Sequence, residues 1–253
     1  MKREDIVQLF ERFNRMKILV IGDVMVDSYV WGKVDRISPE APVPVVSVKK
    51  LEKRLGGAAN VALNLKAMGA EPVLLACVGS DRSAIEFFEL LKEQQLRSDG
   101  IVSLNRSTTV KTRILGNAHH LLRVDEEDDT ELNTSDSKKI LMQFIRLMNQ
   151  EEFDAVIFED YDKGLITEEL IAEITQQCFG KKIPVAVDPK KRNFAHYRGV
   201  DLFKPNLKEI KEGLKIQVNP KDRESLRSAD QLLRKALNHK TSLITLSEEG
   251  VYV

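Results

Sequence analysis

Four polar clusters each follow directly on a short apolar run, and their side chains suit the handling of hydroxyl and phosphate oxygens. Gly22-Asp-Val-Met-Val-Asp27 follows Lys17-Ile-Leu-Val-Ile21, and Glu159-Asp-Tyr-Asp-Lys-Gly164 follows Asp154-Ala-Val-Ile-Phe158. Asp188-Pro-Lys190 follows Ile183-Pro-Val-Ala-Val187, and Pro205-Asn-Leu-Lys-Glu209 follows Val200-Asp-Leu-Phe-Lys204. If the runs are parallel strands, the clusters share the carboxyl edge of one sheet, where open α/β sheets bind ligands. A carboxylate there accepts hydrogen bonds from sugar hydroxyls. Of Asp23 and Asp27, one can serve in that way while the other caps a local turn. Each cluster taken alone is also ordinary loop chemistry, and only their convergence on one edge favours a site. A fifth string, Gly56-Gly-Ala-Ala-Asn60, runs into a helix. Its glycines and free helix N–H groups can cradle oxygens, with Asn60 adding an amide, or they simply make a tight strand-to-helix turn. The two readings carry equal weight.

Other chemistries are excluded by what is missing. The sequence holds no Gly-x-x-x-x-Gly-Lys-Ser/Thr, no Gly-x-Gly-x-x-Gly, no His-x-x-x-His and no nucleophile elbow. His119 and His120 are adjacent, so in a strand they point to opposite faces and make a poor metal pair. Cys77 and Cys178 have neither Cys-x-x-Cys spacing nor histidine neighbours, which disfavours zinc and a disulfide framework. With 39 basic and 39 acidic residues the formal charge is zero. That leaves no global attraction to nucleic acid or an anionic membrane. No long apolar run or leader is present, and the expectation is a cytoplasmic protein without a membrane span.

Elements able to position these clusters are legible in the hydrophobic spacing. Apolar runs near 17–22, 72–78, 154–158, 183–188, 200–204 and 242–246 read as buried strands. Helical periodicity marks 3–15, 57–68, 82–96, 135–149, 167–179, 206–213 and 222–238. The alternation predicts an α/β fold in one domain, 1–253, with a mostly parallel sheet covered by helices on both faces. Two stretches interrupt it. Residues 28–49 carry Trp31, Pro39, Pro42 and Pro44, and read as extended edge strands. Residues 109–124 read as a hairpin around Gly116-Asn117. Together they predict a small β-layer standing off the main sheet, a lid or an oligomer contact. The acidic run Asp125–Glu131 reads as a solvated loop.

These strings resemble the ribokinase-like (phosphofructokinase B type) carbohydrate kinases over about residue 10 to the end. Most narrowly they resemble the heptose 7-phosphate kinase domain of bacterial ADP-heptose synthesis. Arg36-Ile-Ser-Pro-Glu-Ala-Pro-Val-Pro-Val-Val46 is the most specific of them, and the later clusters follow in the family's order. The resemblance implies a three-layer α/β sandwich with a β-clasp that closes the sugar site and joins a homodimer. It implies transfer of the ATP γ-phosphoryl group to the anomeric hydroxyl of D-glycero-β-D-manno-heptose 7-phosphate, with Mg2+, for lipopolysaccharide core synthesis. Asp27, Gly56, Gly57 and Asn60 would hold the sugar, Lys111 and Arg113 would reach its phosphate, and Asp160 and Lys163 would complete that end. Lys190 would meet the ATP phosphates, Asn206 and Glu209 would sit near the magnesium, and Ser247 with Gly250 would approach the nucleotide. The family's Gly-Ala-Gly-Asp motif, which supplies the anion hole and the general base, does not occur in this sequence. The expectation is therefore a C-terminally truncated kinase domain with impaired turnover and no catalytic base of its own. Another ribokinase-like sugar or nucleoside kinase, or a sugar-phosphate-binding and dimerising fragment without turnover, are the alternatives.

Overall fold

The apolar runs become the strands of one sheet in a computed structural model, which describes residues 3–117 and 119–253. The first half of the chain reads α1 (Arg3–Phe13), β1 (Lys17–Gly22), β2 (Val24–Ile37), β3 (Pro44–Gly57), α2 (Ala58–Ala67), β4 (Glu71–Val78), α3 (Arg82–Glu93), β5 (Ile101–Ser103), β6 (Val110–Gly116) and β7 (His119–Glu126). The second half reads α4 (Thr134–Gln150), β8 (Ala155–Glu159), α5 (Glu168–Gly180), β9 (Val185–Asp188), β10 (Leu202–Phe203), α6 (Leu207–Leu214), α7 (Arg223–Leu237), β11 (Thr241–Ser242), β12 (Ile244–Thr245) and β13 (Val251–Tyr252).

Seven strands pair in the order β11-β10-β9-β8-β1-β4-β5, all parallel. β1 is buried from Ile18 to Gly22, as a strand covered on both faces must be. Helix starts follow from sequence. Asp81, Asn133 and Thr167 each accept a backbone N–H three residues on, at 2.8, 3.0 and 3.3 Å. Two elements differ from expectation. β5 is too short for its three residues to show a period, and the run at 242–246 divides. Leu243 and Thr245 still donate to Phe203 and Pro205, but β12 then turns away to pair antiparallel with β13.

Strand order locates the crevice. From β1 the chain moves outward through β4 and β5, then returns to β1's other side and proceeds through β8, β9, β10 and β11. The direction reverses between β1 and β8, which stay paired to Gly22 and Glu159, so it is the connections leaving their carboxyl ends that diverge and leave a crevice. The segments that follow β1 and β8, from Asp23 and from Asp160, border that crevice.

The lid is larger than the sequence suggested. β3-β2-β6-β7 form a separate four-stranded sheet, with β2 and β6 parallel and both outer pairs antiparallel. It begins at Val24, so it grows directly from the site edge of β1. Pro39 and Pro42 lie in the β2–β3 connection and Pro44 opens the edge strand β3. Asn117, at φ 50°, takes the expected turn after β6, and its amide bonds the Val34 backbone. Alternation sorts the lid's two faces. Asp27, Tyr29 and Trp31 share one face with their cross-strand partners Arg54, Glu52, Lys111 and Arg113. Val30, Leu51, Ile114, Leu122 and Val124 share the other, where Leu51, Leu122 and Val124 are exposed. His119 and His120 are exposed on β7. No helix among the described residues is long and apolar enough to cross a membrane.

Candidate active site

Asp23 and Asp27, four residues apart, have separate tasks. Asp23 is buried, and its Oδ2 accepts the backbone N–H groups of Tyr161 and Lys163 at 3.0 and 3.1 Å. Its Oδ1 accepts Leu165 N–H at 3.2 Å, and its carbonyl accepts Ala58 N–H at the start of α2 at 2.9 Å. This residue is the cap: it fastens the loop after β8 and the N-terminus of α2 to the end of β1. Burial raises its pKa to about 6 against the pull of those three N–H groups. Asp27 is half-buried on the lid, where Arg113 Nη1 donates to its Oδ1 at 2.5 Å. Burial first, then the charges of Glu159 and Asp188 and, least, that of Asp27, push the Tyr161 phenol up to about 12.

Gly56 lies beneath Asp27, and a side chain there would collide with the carboxylate. Gly57 has φ 60°, and a Cβ on it would strike the Asp23 carbonyl oxygen. Both glycines are thus required by the turn, and the close approach of backbone to Asp27 comes with it. No side chain caps α2, and Asn60 is exposed in its first turn. Gly57→Ala is expected to destabilise the fold by about 1–3 kcal/mol through forced positive φ and the clash. Urea denaturation measures this, and an unchanged midpoint would contradict the reading.

Asp160 departs from its expected place at the sugar. It is fully buried, with Oδ2 accepting Tyr197 Oη–H at 2.8 Å and Asn193 Nδ2–H at 3.1 Å, and Oδ1 accepting Asp162 N–H at 2.9 Å. Its acceptor positions are engaged inside the molecule, and it shapes the loop rather than facing the cleft. Lys163 does project, and it pairs with Glu127 at 2.8 Å. Lys111 pairs with the same Glu127 at 2.8 Å and with Asp125 at 3.0 Å.

The acidic run is exposed at Glu126, Glu127 and 129–131, and forms loop past β7 as expected, yet it is tied to the site. Burial works against the Glu127 charge, but the two lysines outweigh it and hold its pKa below the ordinary range. The backbone behind it is strapped down as well. Arg106 donates to the carbonyls of Asp128 and Lys163, Arg192 donates to that of Asp129 at 2.8 Å, and Leu132 N–H meets the Gly164 carbonyl at 3.0 Å.

A second group of residues gathers at the ends of β8, β9 and β10. Glu159 and Asp188 are register partners. Burial first, and the Asp188 charge second, push the Glu159 carboxyl up to about 7. Lys204 pairs with Asp188 at 2.6 Å, and Lys190 pairs with Glu209 at 2.5 Å and lies over the Tyr161 ring at 5.9 Å. Burial disfavours the Lys190 ammonium, yet the carboxylates of Glu209, Asp188 and Glu159 outweigh it and raise its pKa. Asn206 and Glu209 form a reciprocal cap on α6, each accepting the other's backbone N–H at 2.9 and 2.8 Å. Glu209 therefore has one oxygen on that cap and the other on Lys190, which is not how a metal ligand is presented. Among the described residues no three His, Cys, Asp or Glu cluster as a protein-only metal cage. Glu159 and Asp188 crowd one another across the register, although Asp188 already holds Lys204; a hard dication drawing its remaining oxygens from phosphate and water would relieve that crowding. Beside them Asn206, Ser247 and Gly250 line one open cleft of about 620 Å³ with Leu207, Lys208, Thr245 and Val251.

The expected residues thus fall into two groups, one on the lid, α2 and the loop after β8 and one past the ends of β9, β10 and β12, while Asp160 and Glu209 have their carboxylate oxygens engaged within the protein. A larger groove, about 830 Å³, runs along α5 beside Arg198 and His239, but none of the expected site residues lines it. Sequence reading missed Arg54, Tyr29, Asp125 and Glu127. Period-2 counting along β2, β3 and β7 would have put Tyr29, Arg54 and Asp125 on the Asp27 face, had the strands' extent been known, while Glu127 lies just past β7.

Comparison with known proteins agrees with this geometry. The family model for pfkB family carbohydrate kinases matches residues 15–253. A bifunctional protein HldE of a Nitratiruptor species is 42% identical over 237 residues, covering 94% of this chain and 49% of the relative. That of Sulfurimonas denitrificans is 40% identical over 238 residues, with 94% and 49% covered. The chain thus spans about half the length of the curated relatives it matches. Among solved structures, phosphofructokinase-2 from Escherichia coli in complex with fructose-6-phosphate superposes with a TM-score of 0.74 at 15% identity, covering 93% of this chain and 75% of that one. Arabidopsis thaliana ribokinase complexed with ribose and ATP gives 0.64 at 16%, with 93% and 73% covered. The parallel sheet and its lid are therefore those of a ribokinase-like fold, and the chain belongs to the pfkB family of carbohydrate kinases.

Proposed function

We propose that the chain supplies the substrate- and nucleotide-binding face of a sugar-kinase step on a sugar that already bears a phosphate, the transfer of the ATP γ-phosphoryl group to the anomeric hydroxyl of D-glycero-β-D-manno-heptose 7-phosphate; without a Gly-Ala-Gly-Asp to furnish the base, its own turnover is expected to be slow. One observation supports this above the rest. The lid face carrying the sugar-accepting Asp27 also carries Arg54, Lys111 and Arg113, cations paired with Glu52, Asp125 and Asp27 that a substrate phosphate can draw to itself. The likeness to the HldE proteins supports the same substrate.

In this reading Asp27 and Asn60 accept and donate to sugar hydroxyls over the Gly56-Gly57 turn, and Lys111, Arg113 and Lys163 meet the distal phosphate. Lys190 faces the transferred group, while Asn206, Ser247 and Gly250 line the nucleotide cleft. Glu159 and Asp188 would hold Mg2+, which when bound neutralises charge on the nucleotide phosphates. The chain's own contribution is positioning, charge neutralisation and, through the lid, exclusion of water that would otherwise compete as acceptor.

ADP release coupled to NADH oxidation tests the assignment. Heptose 7-phosphate is expected to support faster turnover than ribose or fructose 6-phosphate, and the reverse order would overturn it. The exposed apolar lid face supports a homodimer through the lid. Leu122→Arg is expected to shift the sedimenting species from dimer to monomer. A wild-type monomer at micromolar concentration would contradict the dimer.

A further inference from the structure

Every cation on the sugar side of the lid already has an internal partner. Lys111 is held by Asp125 and Glu127, Lys163 by Glu127, and Arg54 by Glu52. Arg113 differs in one respect: its partner is Asp27, the acid assigned to the sugar hydroxyls. Strand register makes this choice notable. Arg113 stands opposite Tyr29, and Lys111 stands opposite Asp27. Lys111 nevertheless turns outward to β7, and Arg113 reaches diagonally to Asp27, within the range of a long side chain.

We infer that the Asp27–Arg113 pair is a gate worked by the substrate's own phosphate, which makes Arg113 a specificity-determining residue; the inference rests on the sugar-phosphate reading above. An unphosphorylated sugar offers Asp27 only neutral hydroxyls. Those must displace a charge-assisted bond about twice as strong, and they leave a half-buried guanidinium unpaired. A sugar phosphate offers Arg113 a dianion that its fork can grip with two parallel bonds. The guanidinium then leaves Asp27, and the carboxylate becomes free to accept the hydroxyls.

The surroundings fit such an exchange. Side-chain exposures of 23% for Arg113 and 20% for Asp27 place the pair between solvent and core. It is therefore strong enough to discriminate and accessible enough to be opened. The Tyr29 ring lies 5.3 Å from the Arg113 guanidinium and 5.1 Å from that of Arg54, which comes from the opposite neighbouring strand. Arg113 can pivot on this ring without losing its contact with it, and Arg54 adds a second cation to the same face.

Calorimetric titration of heptose and heptose 7-phosphate tests the gate in the wild type and in Arg113→Met, which keeps the stem over Tyr29 without the charge. The variant is expected to bind heptose 7-phosphate at least about tenfold more weakly, and heptose several-fold more tightly. Heptose affinity that is unchanged or lowered in the variant overturns the gate and leaves Arg113 a plain phosphate ligand. A wild type that binds no heptose 7-phosphate overturns the underlying substrate reading as well. A measurement on the unmodified protein removes any dependence on the variant's folding. Saturating inorganic phosphate is expected to tighten heptose binding several-fold by opening the gate in trans, while chloride at equal ionic strength does not. Equal effects of the two anions overturn the proposal.

Discussion

Asp23→Ala is expected to cost the fold on the order of 2–5 kcal/mol, although Asp23 stands only four residues from an acid whose loss should barely affect stability. Two opposing effects set the figure. Removing the carboxylate orphans three buried N–H groups, those of Tyr161, Lys163 and Leu165, at roughly 1–3 kcal/mol each before the loop relaxes. Against this, the buried charge no longer has to be carried. With the pKa raised from 3.8 to about 6, that relief is about 3 kcal/mol at neutral pH. The orphaned donors win.

The sign of the pH dependence follows from the same shift. A carboxyl whose folded pKa lies above its unfolded value contributes most when protonated, below about pH 4. That contribution is lost as pH rises through about 6 and changes no further above it. Asp23→Asn has no such titration and keeps at most the two bonds on one oxygen. Its deficit against wild type should therefore be largest near pH 4 and shrink by up to about 3 kcal/mol by pH 7. Chemical denaturation at the two pH values measures it. A deficit that grows with pH would contradict the cap role.

Asp27→Asn is expected to do the reverse. Its single strong partner is Arg113, the pair is partly solvated, and stability should change by no more than about 1 kcal/mol. Sugar-phosphate affinity should fall by about 10- to 100-fold, because hydrogen bonds from sugar hydroxyls to a charged acceptor are weakened or lost. Titration calorimetry and thermal melts on the same variant separate the two effects. A variant that binds as wild type does, or that melts far below it, would mean that the two acids had been assigned the wrong way round.

Most of the main sheet was legible because strands covered on both faces have to be apolar and short, and helices between them have to be amphipathic. The run Lys17-Ile-Leu-Val-Ile21 admits little else. β5 escaped because Ile101–Ser103 is shorter than any period. The lid was legible as a layer, through Pro39, Pro42, Pro44 and the Gly116-Asn117 turn, but its extent was not. Val24 to Asp27 read as a loop motif although they are already strand β2. That one misreading hid Tyr29, Arg54 and Asp125, whose place on the Asp27 face depends on strand register, a long-range quantity.

The site itself divided in the same way. Residue type and strand ends identified Asp27, Lys190 and the Asn206–Glu209 pair, because the chemistry of a cleft edge is local. Which oxygen faces the cleft is not local. Asp160 looks as suitable as Asp27 in sequence, yet Tyr197 and Asn193, more than thirty residues downstream, turn it inward. The acidic run is exposed as its composition requires, but that Lys111 of β6 and Lys163 of the loop after β8 both reach Glu127 depends on long-range packing.

The central claim is that the crevice between β1 and β8, closed by the lid, is where the sugar phosphate binds. A crystal structure of the protein grown with heptose 7-phosphate tests it most directly. Sugar hydroxyls are expected within hydrogen-bonding distance of Asp27 and Asn60 and the phosphate on Arg113 or Lys111, with Asp160 still bonded to Tyr197. Sugar density in the groove along α5, with Asp27 and Arg113 still paired and the lid cleft empty of ligand, would contradict it.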